Sequence, residues 1–114
     1  MSKKTGLIIA ALLLMPVPTV ANAETEILGV GTGSCVQFAE AYRRNPAATE
    51  KHYYTWFEGF ATGLNLLLKP PKNLNVNMTD QWVALRMYCN QHPLGGFYEA
   101  AMKVMADLPE RKTP

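Results

Sequence analysis

The stretch His52-Tyr-Tyr-Thr-Trp-Phe-Glu-Gly-Phe-Ala-Thr-Gly-Leu-Asn-Leu-Leu-Leu68 constrains the fold more than any other part of the chain. Its apolar residues recur at helical spacing, so it reads as one helix buried over most of its circumference. On a helical wheel, Tyr53, Trp56, Phe57, Phe60, Gly63, Leu64, Leu67 and Leu68 share nearly half the cylinder, with Thr55, Glu58, Thr62 and Asn65 opposite. Other helices must pack on that arc. Gly59 and Gly63 stand at its edge, and each costs about 1 kcal/mol against Ala in a helix interior. Their presence predicts that something approaches the backbone closely there.

The first 23 residues read as a targeting signal. Lys3 and Lys4 make a basic start, residues 6–15 an apolar run, Pro16 and Pro18 a break, and Ala21-Asn22-Ala23 a small-x-small cleavage pattern with the cut after Ala23. The apolar run is about half the roughly 20 residues that a membrane span needs, so the mature form is expected not to span a membrane. A periplasmic location follows from this reading.

Cleavage leaves a single domain of about 90 residues, a size that buries only some 60% of its unfolded surface and gains from a covalent constraint. Lys3 and Lys4 carry the whole formal excess of 11 basic over 9 acidic residues, so the mature chain is near neutral. It lacks the basic stripe that nucleic-acid binding requires, and no nucleic-acid partner is expected. Cys35 and Cys89 are the two cysteines, and an even pair in an oxidising compartment reads as one disulfide. The loop-entropy relation puts its contribution at roughly 4 kcal/mol for a loop of about 55 residues. A metal or redox pair would call for Cys-x-x-Cys spacing or more histidines.

Along the mature chain, residues 24–33 read as a flexible leader. Their glycines loosely resemble a phosphate loop without its lysine or βαβ surroundings. Ser34 and Gln37 form a capping-box pair for a first helix over 34–45, with Cys35, Phe38, Ala39 and Tyr42 inward, Glu40 and Arg44 pairing outside, and Pro46 as the stop. Residues 46–51 link to the central helix, entered at Ala48 or Thr49 and ended before Pro70-Pro71. The Asn-rich segment 69–78 is a long connection. Its Lys69, Lys72, Asn73, Leu74, Asn75, Val76 and Asn77 are the candidate partner-contacting residues, because loops on a rigid scaffold often carry recognition. A third helix over 79–92, capped by Thr79 and closed by Pro93, puts Trp82, Leu85 and Cys89 on one stripe beside Tyr88. Val83 and Met87 form a second, smaller ridge that either packs on the terminal helix, the favoured reading, or stays open to a partner. That fourth helix spans 96–108 with Phe97, Ala101, Val104 and Leu108 inward, and 109–114 is a polar tail. The fold class is therefore all-α: four helices braced by Cys35 to Cys89.

The inventory for catalysis is thin. Ser34, the only serine after residue 23, already serves as a cap. His52 and His92 stand at helix ends, no His-Glu-x-x-His spacing occurs, and the carboxylates are scattered over different helices. Glu58 lies on the polar side of the central helix, and Asn65 either caps a neighbouring element or faces water. No catalytic residue, metal site or cofactor is expected.

Three motifs carry a resemblance: Cys35-Val-Gln-Phe38, Trp56-Phe-Glu-Gly-Phe-Ala-Thr-Gly-Leu-Asn65 and Tyr88-Cys-Asn-Gln-His-Pro-Leu94. With them the chain resembles the Tai-type immunity proteins, small exported helical proteins with a Cys, a Trp-x-x-Gly-Phe-x-x-Gly-x-Asn helix and Cys-x-x-His-Pro. In this resemblance Trp56, Gly59, Phe60, Gly63, Asn65 and Pro93 are scaffold residues. It implies a periplasmic, often homodimeric, non-enzymatic protein that binds and blocks a peptidoglycan amidase effector of type VI secretion. The layout of one early and one late cysteine is also similar to HdeA, which implies an acid-stress chaperone instead.

Overall fold

The computed structural model describes residues 27–112, so the cleavage signal, residues 24–26 and the end of the tail lie outside the described residues. Among the described residues four helices follow a 3-10 turn at Gly29–Thr32: α1 Cys35–Arg44, α2 Pro46–Asn65, α3 Met78–Gln91 and α4 Phe97–Asp107. There is no strand among the described residues. Two isolated antiparallel bridges occur, Ser34 with Gly96 and Lys72 with Glu110.

The first three helices begin where a side chain or a proline relieves their unpaired amides, and α4, behind Gly96, begins on a backbone carbonyl instead. Ser34 closes a full capping box with Gln37. Asn45 then does two jobs, its backbone amide closing α1 on Ala41 and its side chain accepting from the Ala48 amide to open α2. The linker expected over 46–51 is therefore helix. Pro46 occupies the first turn, where a missing amide costs nothing, and so starts a helix as well as ending one. At α3 the cap is Asn77, which accepts from the Asp80 amide, two residues ahead of the expected Thr79. The amino ends of α1 and α4 lie side by side, Cys35 donating to the Gly95 carbonyl at 2.9 Å and Phe97 to that of Gly33 at 3.0 Å.

One ring from each helix meets at the centre. Phe38 of α1 lies 4.9 Å from Tyr53 of α2, 5.6 Å from Trp82 of α3 and 5.2 Å from Phe97 of α4, centroid to centroid. Leu85, Ala100, Ala101, Val104 and Met105 fill the space around them. The Cys35–Cys89 disulfide spans 54 residues with a Cα separation of 5.0 Å and ties the start of α1 to the end of α3. Ala39, expected inside, is exposed, and Ala41 is half-buried in its place. The i,i+4 ion pair on the surface is Lys103 with Asp107, not Glu40 with Arg44.

The central helix is buried less than its sequence suggests. Its inward line is Thr49, Tyr53, Phe57 and Ala61, and it ends at Asn65, leaving Leu66 and Leu67 81% and 79% exposed. A Cβ at Gly59 or Gly63 would meet nothing within 4 Å, so no part of the described chain approaches there. Val83 and Met87 also face outward, 42% and 51% exposed, and do not pack on α4. In contrast, the leader is packed against Trp56 around Gly31. Gly29 takes φ +83, a Cβ at Gly31 would overlap the Trp56 ring, and Trp56 Nε1 donates to the Leu28 carbonyl at 2.7 Å.

These glycines should respond in opposite directions. Gly59→Ala and Gly63→Ala are each expected to stabilise by about 1 kcal/mol through helix propensity alone. Gly31→Ala should destabilise and free Trp56 to solvent. Denaturant midpoints and tryptophan emission maxima check both.

Candidate functional site

The connection 69–78 is a pinned edge, because two side-chain amides hold its backbone. Asn65, at the end of α2, accepts from the Lys72 amide through Oδ1 at 2.6 Å and donates from Nδ2 to the Lys72 carbonyl at 3.0 Å. Gln81, buried in the first turn of α3, donates from Nε2 to the carbonyls of Val76 at 2.6 Å and Leu74 at 3.2 Å. Its Oε1 accepts from the Tyr54 hydroxyl at 2.9 Å, so every polar atom of this buried amide is engaged.

The C-terminal segment closes the clasp. The Asn73 amide donates to the Pro109 carbonyl, and that of Arg111 to Pro71, each at 2.8 Å. The Lys72 ammonium reaches the carbonyls of Ala106 and Leu108 at the end of α4, where a cation satisfies orphan acceptors and the helix dipole. Asn73 caps the Asn75 amide through its own side chain.

The candidate contact residues therefore divide. Lys72 and Asn73 are spent on the clasp, and Leu74 packs against the core. Lys69, Asn75 and Asn77 are exposed, and Val76 is half-buried. Between this edge and α2 lies a cleft of about 190 Å³ bordered by Glu58, Thr62, Asn75 and Met78. Met78 is 57% exposed, so with Leu66 and Leu67 it gives the polar edge apolar flanks.

A second opening lies across α2. Trp56 and Phe60 stack with centroids 5.2 Å apart and planes at 7°, and Tyr98 meets Phe60 edge-on. These rings border an open apolar groove of about 560 Å³ with Gly59 and Leu28. Pro93 is exposed just after α3. His92 is also exposed, stacked on Tyr88 at 4.2 Å. Among the described residues no three His, Cys, Asp or Glu side chains gather closely enough to hold a metal ion, and no helix is long and apolar enough to cross a membrane. The role of Gln81 escaped the sequence, where it stood as a polar residue next to Trp82; its position in the first turn after an Asn-rich loop was the available signal.

Compared with protein families, curated proteins and solved structures, the chain gives no match.

Burial raises the Tyr53 hydroxyl above its ordinary value of 10.0, and burial followed by the nearby Glu58 charge raises Tyr54. A raised tyrosine favours the neutral folded state. Its contribution is whole below the unfolded value and is lost as pH climbs through the higher folded one. Stability should hold steady across neutral pH and fall above about pH 10, and Tyr53→Phe should shallow that alkaline limb when denaturant midpoints are compared at stepwise pH.

The clasp has its own test. Asn65→Ala leaves the Lys72 amide and carbonyl without partners and should cost about 1–3 kcal/mol. Amide exchange at Lys72 and Asn73 should quicken well before that of the α3 core.

Proposed function

We propose that this is an exported, non-enzymatic binding protein that uses the pinned 69–78 edge to occlude a protein partner. The partner class we favour is a peptidoglycan amidase effector, in the manner of the Tai-type immunity proteins that the sequence resembles. The observation that carries the reading is the double amide clamp. Asn65 and Gln81 hold the loop backbone in one shape, so that little ordering entropy is lost when a partner docks. Exposed Lys69, Asn75 and Asn77 supply directional contacts, and Leu66, Leu67 and Met78 supply apolar area at the flanks. The export pattern at the amino end and the disulfide agree with a periplasmic setting.

The acid-chaperone alternative finds less support. Loosening at low pH works through titratable groups that folding holds in one protonation state. The buried polar residues of the described core are Thr49 and Gln81, neither of which titrates in acid.

The test is affinity for a purified peptidoglycan amidase effector of type VI secretion, measured by calorimetry at neutral pH. Lys69→Glu combined with Asn75→Arg should weaken binding at least about tenfold while leaving the melting temperature unchanged. A complex that tolerates this pair but is lost on substitution elsewhere would move the site. Absence of any complex, with client aggregation suppressed only in strong acid, would replace the reading by the chaperone.

A further inference from the structure

Away from the loop edge, α1 and α3 leave an open groove of about 380 Å³ between them. One end is uncharged and mostly apolar, bordered by Val36, Pro93 and the Cys35–Cys89 pair with the Asn90 amide beside them, and Ala39 further along. The other end is cationic, bordered by Arg43 and Arg86, and no carboxylate lines the groove. The helices run antiparallel here, since Cys35 meets Cys89 while Arg86 meets Tyr42, two turns further along α1. Arg86 is already positioned, its guanidinium 4.1 Å over the Tyr42 ring centroid. Among the described residues the ion pair is Lys103 with Asp107, and no described carboxylate pairs with Arg43 or Arg86. Glu40, the acid closest in sequence, is not part of the groove; it borders a neighbouring cleft with Arg43 and Arg44 and forms no ion pair with either.

We propose that this groove binds a single-chain apolar molecule with a carboxylate head, the head between Arg43 and Arg86 and the chain along Ala39, Val36 and the disulfide. Charge complementarity names the head. Guanidinium donors match a carboxylate in fork geometry, and two unanswered cations at one end are relieved by one anion. The polarity names the shape. A partner helix would spread its charges along its length, whereas this groove separates charge from apolar surface over the rise of two helical turns. That distance, about 10 Å, suits a chain of roughly eight to ten carbons. This site is independent of the loop edge and of any protein partner there.

The experiment titrates the oxidised protein with decanoate, following tryptophan emission and the backbone amide shifts of α1. Saturable binding is expected, weakened about tenfold by Arg86→Gln and similarly by Arg43→Gln, and abolished by Ala39→Phe, which fills the groove from an exposed position. Decylammonium and decanol should not saturate. Arg43 is on the surface, so its variant keeps the result readable if Arg86→Gln loosens the fold. Equal binding of decylammonium, or unchanged affinity in both arginine variants, would overturn the assignment. Association with anionic phospholipid vesicles without binding of monomeric decanoate would overturn it too, in favour of a membrane phosphate.

Discussion

The contact on which the rest of the structure depends is the meeting of four rings at Phe38, one from each helix. Helices as short as α1, α3 and α4 are marginal in water alone, because nucleation consumes most of what propagation returns. Each becomes stable only when its ring is buried in the cluster around Phe38. The disulfide then holds α1 and α3 together at the edge of this cluster, where a small domain has little further apolar area to contribute. Side chain and covalent bond thus act on the same junction.

Packing around that junction uses one side of α2, and the other side stays exposed. Tyr53, Phe57 and Ala61 turn inward, so Gly59, Gly63 and Thr62 lie along an outer ridge. On one flank Trp56 fastens the segment that leads into α1. On the other, Asn65 and Gln81 fasten the segment that leads into α3. Backbone that would otherwise wander is ordered by side chains anchored in helices. Such fixed edges are what a protein that works by shape needs, since a surface already in its bound form loses less entropy on contact.

The two proposed surfaces draw on different physics. At the loop edge, polar side chains stand between apolar flanks, a composition suited to a protein partner that must be both desolvated and oriented. Between α1 and α3 the charges are segregated to one end, which suits a small molecule with one head and one tail. Both depend on the same core, because the rings that seat α1 and α3 also set the width between them.

Much of this was legible in the sequence because it is local. The capping box at Ser34, the inward stripe of Trp82, Leu85 and Cys89, and the pairing of Cys35 with Cys89 follow from spacing and compartment, and the structure contains them. What the sequence misjudged were matters of which neighbour is present. A helical wheel ranks residues by polarity but cannot say how many of its faces are covered, so Leu67 was placed inside and stands outside. Proline read as a stop hid Pro46 as a start, since the first turn needs no amide. Residues 24–33 read as a flexible leader, yet at Gly31 an indole lies so close across the backbone that a Cβ would overlap it. The chain alone determined four amphipathic helices and one crosslink, properties of residues three or four apart or of the pair of sulfurs. Tertiary structure alone decided that Asn65 and Gln81 hold a loop and that two arginines share one end of a groove, because hydrogen bonds and fields act across space between residues that sequence keeps apart.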